Sequence, residues 1–333
     1  MDAFSEVLSS VKLKGALFFH AEFSAPWALV SPQSKCLAPH LMPGAGHLVI
    51  FHFLLEGWAR VKMDQRDALV LNAGDLVVFP HGDPHGLENG VSPQPLDPVA
   101  TLKLLSSHNL GPVRAGGGGE VTRFVCGYMA CDPQLCQPIL AGLPPVIRIH
   151  VRADSSGRWL ENSIRQLVEE AEVSRPGGQA VLAKLSEALF VDALRRHVAS
   201  LPEEQLGWLA GARDPVVGKS MAILHNRVEH PWTIAELAKE VGLSRSSLVE
   251  RFTRYLGEPP ISYLTRWRLQ LGARALAASP RSVAEIAAEV GYESEAAFNR
   301  AFKRQFDVPP ARYRRERREA AEPVASSQSA GWP

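Results

Sequence analysis

Apolar positions along this chain follow two rhythms, and the change from one to the other divides it. Up to about residue 150, short apolar runs recur between turn-forming clusters: Ala16–His20, His47–Leu55, Ala68–Leu71, Leu76–Pro80, Ala100–Leu105 and Arg123–Met129. Pro39–Gly46 and Gly82–Gly90 are among the separators. Many short strands in so little chain predict a sandwich or small barrel. Gly116–Gly119 is four glycines in a row without the strand-to-helix setting of a phosphate loop, so it reads as a flexible loop.

From Ser155 to Ala199 the period lengthens to that of a helix. Trp159, Ile164, Leu167 and Val168 form one stripe; Val181, Leu182, Leu185, Leu189 and Leu194 form a second, beyond Pro176-Gly177-Gly178. Two amphipathic helices beside a β-rich unit suit a dimerisation face; the alternative is that they merely cover the barrel. Leu201–Asp214 then reads as a linker and Pro215–Glu229 as the first helix of another unit.

That unit says nearly the same thing twice. TIAELAKEVGLSRSSLVERFTRYLGEPP (Thr233–Pro260) matches SVAEIAAEVGYESEAAFNRAFKRQFDVPP (Ser282–Pro310), at an offset of 49 that becomes 50 after one inserted residue. Thr233 and Ser282 are N-cap types with Glu236 and Glu285 three positions on, the spacing of a capping box. Each first helix stops at Gly242 or Gly291, where positive φ permits a sharp exit. Each second helix begins near Ser244 or Ser294 and buries Leu248/Phe252 or Phe298/Phe302 at i, i+4. Small Ala238 and Ala287 let the paired helices cross closely. This is the helix-turn-helix pattern, with an outward second helix suited to a major groove. Ile261–Ser279 has no proline and helical spacing; its nineteen residues make a rod of about 28 Å, against about 34 Å between successive major-groove faces on one side of B-DNA.

The duplicated module, the Trp267/Arg268 linking helix and the closing GYESEAAFNRAFKRQFDVPPARYR resemble the DNA-binding domain of the AraC/XylS family of bacterial transcription regulators, from about Asp214 to Arg318. The resemblance implies that the helices from Arg245 and Glu295 are the readers. Their outward residues, once the buried ones are removed, are Arg245, Ser246, Val249 and Glu250, then Glu295, Ala296, Asn299 and Arg300. Arg300 fits a bidentate guanine contact, and Arg251, Arg254, Lys303 and Arg304 fit phosphates. Double-stranded DNA, RNA polymerase, an effector and a second copy of the chain are the partners this implies.

Charge agrees with that division. The net charge of +1 conceals 18 Lys and Arg against 12 Asp and Glu in Pro215–Glu319, with the excess acid elsewhere. Apolar content of 46% is ordinary for a globular protein. No run approaches the roughly 18 apolar residues of a membrane span, and MDAFSEVLSS lacks a basic-then-apolar leader. A cytoplasmic location is expected.

In the β-rich part, GDLVVFPHGDPHGLEN (Gly74–Asn89) fits the second cupin motif, with His85 at the mouth. With SAPWAL (Ser24–Leu29), FHFLLEG (Phe51–Gly57) and RFVCG (Arg123–Gly127), it resembles the cupin-like sensor domain of one AraC branch. The metal set of a cupin is broken: Ile50 stands where the first motif places its glutamate, and Pro43–Gly46 supplies no histidine pair. No cofactor is required. Strand alternation still turns His52 inward, where it faces His85, and such a pair suits a small effector or, with a thiolate, a metal ion. His81 and His85 lie four apart, but in a Pro/Gly loop. Three of the four cysteines, Cys126, Cys131 and Cys136, fall within eleven residues and are candidates for redox or metal sensing; Cys126 sits mid-strand, where plain packing is the simpler role.

These observations predict an α+β two-domain chain. Residues 1–154 form a cupin-like barrel with flanking helices and 155–213 a helical dimerisation and linker region. Residues 214–318 form an all-α double helix-turn-helix and 319–333 a disordered tail. The function expected is regulation of transcription with no catalytic residues. The alternative is a metal-dependent cupin enzyme carrying a DNA-binding appendage.

Overall fold

The structure, a computed structural model, describes residues 14–42, 45–64, 67–91, 113–131, 139–171, 176–202 and 204–321, together with Ser5. The chain separates into two compact units, dividing between Pro202 and Glu203.

The first unit is built on ten strands among the described residues: β1 (Lys14–Ser24), β2 (Trp27–Ser31), β3 (His47–Glu56), β4 (Trp58–Lys62), β5 (Leu69–Asn72), β6 (Asp75–Phe79), β7 (His85–Asn89), β8 (Val113–Gly116), β9 (Val121–Cys131) and β10 (Ile147–His150). They form a six-stranded sheet, β10-β6-β3-β9-β1-β8, and a four-stranded sheet, β2-β7-β4-β5. Helix α1 (Ser34–Leu41) follows β2, and α2 (Ser155–Ala171) and α3 (Gly178–Ser200) close the unit. The barrel read from the sequence is therefore a pair of sheets over one core, with no ladder closing them into a cylinder among the described residues. Trp27, Leu29, Val61 and Leu87 of one sheet meet Phe23, Ile50, Phe79 and Phe124 of the other. Helix α3 packs on the outer face of β1. Covered on both faces, β3 is buried from Leu48 to Leu55, which is why it reads as a continuous apolar run.

Five strands escape the sequence pattern: β2, β4, β7, β8 and β10. The predicted run Ala100–Leu105 lies outside the described residues. The glycine tract is not a loose loop. Gly117 N–H donates to the Ser24 carbonyl and Gly119 N–H to that of Ala25, both at 2.9 Å. A Cβ at Gly116 would sit 1.8 Å from the Ser24 carbonyl oxygen, so only glycine admits this backbone approach.

The second unit is helical: α4 (Trp208–Arg213), α5 (Pro215–Asn226), α6 (Ile234–Val241), α7 (Arg245–Leu256), α8 (Pro260–Ala278), α9 (Val283–Glu289), α10 (Glu295–Phe306) and α11 (Pro310–Ala321). Helix α4 thus lies inside the predicted linker, and α11 continues to Ala321. No helix among the described residues is long and apolar enough to cross a membrane.

Thr233, Ser244, Ser282 and Ser294 each cap a helix by accepting from the N–H three residues on. The capping box is complete at Ser282/Glu285. At Thr233 only half of it forms, because the Glu236 carboxylate pairs with His230 at 2.7 Å. Gly242 and Gly291 hold positive φ of 73° and 84°, making the two sharp exits. Helix α8 carries both hairpins. Tyr263 packs on Phe252 of the first, its hydroxyl accepting from Trp208 Nε1 at 3.0 Å, and Trp267 stacks on His225 of α5. Leu269, Ala273 and Leu276 bury against Ile286, Phe298 and Phe302 of the second. A Cβ at Gly272 would meet the Phe298 ring at 2.8 Å, so glycine lets that ring lie against the rod.

Candidate nucleic-acid interface and a buried histidine–cysteine chain

Helices α7 and α10 each bury two large side chains, Leu248/Phe252 and Phe298/Phe302, all fully enclosed. What remains is an outward stripe. On α7, Arg245, Ser246 and Glu250 are exposed and Val249 is half-buried; on α10, Glu295, Ala296 and Arg300 are exposed and Asn299 is half-buried, its Nδ2 donating to Glu295 at 3.5 Å. Arg254, Lys303 and Arg304 are also exposed. Among the described residues, Arg245, Arg254, Arg300, Lys303 and Arg304 have no carboxylate at ion-pair distance, so their charges face solvent uncompensated. A stripe of short, polar and cationic side chains beside free guanidinium groups is the chemistry that meets base edges flanked by phosphates.

Arg251 is different. Its Nη2 and Nε donate to the Asp214 carboxylate at 2.7 and 3.1 Å. Asp214 is itself the N-cap of α5, accepting from Val216 and Val217 N–H at 3.0 and 2.9 Å. Burial alone would lift the Asp214 pKa, but the Arg251 and backbone hydrogen bonds outweigh it and hold the carboxyl below its usual range. The residue predicted as a phosphate ligand is thus already fastened to a buried carboxylate. Its counterpart in the second repeat, fifty residues on, is the buried Ala301. Sequence reasoning missed Asp214; its Asp-Pro step opening a helix was the available signal.

In the sheet unit, three of the predicted sensor residues come together. His52 on β3 lies directly opposite Cys126 on β9, both pointing into the core, and His85 reaches them from the other sheet. Cys126 Sγ is 2.6 Å from His52 Nδ1; His52 Nε2 is 2.7 Å from His85 Nε2; His85 Nδ1 is 2.8 Å from the Asp83 carbonyl. The His85 ring stacks on Phe79 at 3.5 Å. Because a carbonyl only accepts, it fixes every proton in the row: His85 Nδ1–H donates to Asp83, His52 Nε2–H donates to His85, and the Cys126 thiol donates to His52 Nδ1. Burial, reinforced by the neighbouring imidazole, pushes the His52 pKa well down; burial lowers His85 to about 4 and raises the Cys126 thiol. All three groups are neutral at pH 7.

This row does not fit a metal. The ring nitrogens face each other at hydrogen-bond distance, whereas an ion between them needs about 2.0–2.1 Å to each. His52 also spends both nitrogens on different neighbours, so the donors do not converge. Among the described residues, no group of three His, Cys, Asp or Glu side chains is placed to hold an ion. The row therefore supports no metal-dependent step of a cupin enzyme. His81 Nε2–H donates to the Leu143 carbonyl at 3.1 Å, and the ring stays apart from the row. Cys136 and the Cys131 side chain lie outside the described residues.

On α2, Ile164 and Val168 are buried as the stripe predicts, but Trp159 turns outward and is 62% exposed. It lines a groove with Ser155, Leu160, Ala188 and Val191, between α2 and α3.

A family described as Cupin matches residues 2–199, and one described as Helix-turn-helix domain matches residues 237–316. The chain is 28% identical to the HTH-type transcriptional regulator AlkR of Acinetobacter baylyi, over 95% of its own length and all of the relative's. It is 31% identical to a protein described as an AraC-like transcription regulator in Streptomyces antibioticus, covering 95% of this chain and 99% of that one. A protein of the same description in Streptomyces lividans is 30% identical, over 95% and 98%.

Proposed function

The chain belongs to the AraC-like family of DNA-binding transcription regulators, with a cupin domain ahead of its helix-turn-helix unit, and on that premise we propose that α7 and α10 enter two successive major grooves on one side of a duplex. The observation that supports this most is α8, an unbroken helix of 19 residues, about 28 Å long, that carries one reader hairpin at each end. Arg245, Ser246, Val249, Glu250, Glu295, Ala296, Asn299 and Arg300 face base edges. Arg254, Lys303 and Arg304 hold phosphates. DNase footprinting of a selected operator tests this: two protected stretches about one helical turn apart are expected per protomer, and a single protected stretch overturns it.

The regulator acts in the cytoplasm, where promoter DNA and RNA polymerase meet. Its sheet-bearing unit receives the signal, with the His52–His85–Cys126 row as the receiving element. A small molecule or thiol-directed agent that takes one hydrogen bond from that row leaves the others unmatched, and so favours a different arrangement of the core. Two chains pair through the α2/α3 groove, where the exposed indole of Trp159 is the anchor. Trp159→Glu should then sediment as a monomer under conditions where the wild type is dimeric; an unchanged dimer would place the interface elsewhere.

A further inference from the structure

The two readers share a scaffold position by position, yet their outward stripes carry opposite charge orders. Ser244 and Ser294 cap them, Leu248/Phe252 and Phe298/Phe302 anchor them, and Gly257 and Asp307 close them with positive φ of 74° and 61°. At an offset of fifty, Arg245 therefore stands where Glu295 does, and Glu250 where Arg300 does. Helix α7 runs from cation to carboxylate, and α10 from carboxylate to cation.

Helix stability does not explain this order in α7. The first turn of a helix favours anions, and α10 places Glu295 there, whereas α7 places Arg245 there with no acidic residue in the turn. Nor does local pairing explain it: among the described residues, no ion pair joins Arg245, Glu250, Glu295 or Arg300 to another side chain. The charges are presented outward, on stripes spaced i, i+1, i+4 and i+5.

In a major groove the two charges select opposite bases. A guanidinium donates to guanine O6 and N7, and a carboxylate accepts from cytosine N4–H. We infer that the two half-sites are not copies of one another but are exchanged in guanine and cytosine: α7 takes guanine at its start and cytosine one turn on, while α10 takes cytosine first and guanine one turn on. Arg245, Glu250, Glu295 and Arg300 set that choice. This rests on the reading that both helices lie in major grooves.

The test is a transplant in the full chain. Arg245→Glu, Ser246→Ala, Val249→Asn and Glu250→Arg give α7 the stripe of α10, on surface positions whose scaffold counterpart already bears those side chains. Wild type and variant each select duplexes from a random pool. The wild type should return two different half-sites one turn apart. The variant should return the second half-site twice, with preference at the exchanged positions moved by roughly 5- to 150-fold. The reciprocal variant, Glu295→Arg, Ala296→Ser, Asn299→Val and Arg300→Glu, should return the first half-site twice. If either folded variant keeps the wild-type preference, or if both lose selection while the wild type retains it, the inference is overturned. Failure of the wild type to select any paired site would instead sink the two-groove reading beneath it.

Discussion

Arg251→Ala should loosen the first reader without altering how the protein grips phosphate. The Asp214 side chain is 4% exposed and accepts from two nitrogens of Arg251 beyond the bonds of its helix cap. Stripping one partner from a fully buried ion pair costs about 3–5 kcal/mol. Here the Arg251 side chain is 45% exposed, so water replaces part of what is lost, and about 2 kcal/mol is the appropriate figure. For a unit of this size that is a drop of roughly 8 °C in melting temperature. Circular dichroism of the helical transition at pH 7 measures it. The pH dependence carries a sign. Asp214 has a folded pKa below its unfolded one, so its contribution is complete above the unfolded value and lost as pH falls through the depressed one. The gap between wild type and Arg251→Ala should therefore close in acid. The salt dependence of DNA binding should not change. An unchanged melting temperature together with a log K against log salt slope shallower by about 0.9 would make Arg251 a phosphate ligand and refute the reasoning.

Arg300→Ala should cost about 1–3 kcal/mol of operator binding and relax preference at one base pair; equal loss on every sequence would reduce it to a phosphate contact. His85, with a pKa near 4 when folded against about 6.5 unfolded, makes the sheet unit lose stability as pH falls from 6.5 toward 4, by about 3 kcal/mol. Urea midpoints across that range report it, and His85→Gln, which does not titrate, should make the slope shallower, leaving the part that the buried His52 contributes; an identical slope in the variant would assign it to other groups. Asp307 holds φ at 61° where the first repeat has Gly257. Asp307→Gly should stabilise the helical unit by up to about 1 kcal/mol, and a lower melting temperature would show that the aspartate side chain favours its turn.

What was legible in the sequence was what neighbours in sequence decide. Caps at Thr233, Ser244, Ser282 and Ser294, and the glycine exits after α6 and α9, are written within four or five residues of each helix end. The inward alternation of β3 likewise sufficed to bring His52 opposite His85. Partners distant along the chain were not legible. HGLEN looks like the tail of a turn, yet it is β7, flanked by β2 and β4, whose residues lie up to about sixty positions away. Asp214 and Arg251 are 37 apart and sit on different helices. Trp159 joins the apolar stripe of α2 by residue type, but its angular position on the helix points it away from the buried Ile164 and Val168. The half-formed capping box at Thr233 shows the same limit, since the carboxylate that would complete it is taken by His230.

The continuity of α8 has an evolutionary corollary. An α-helix turns about 100° and advances about 1.5 Å per residue. One residue inserted between Tyr263, which packs on Phe252 of the first hairpin, and Gly272, which receives Phe298, would swing the second hairpin a quarter-turn around the rod while barely lengthening it. Indels here thus scramble angular phase long before they adjust reach, and drift can rewrite the letters each hairpin recognises far more readily than the interval between the two words.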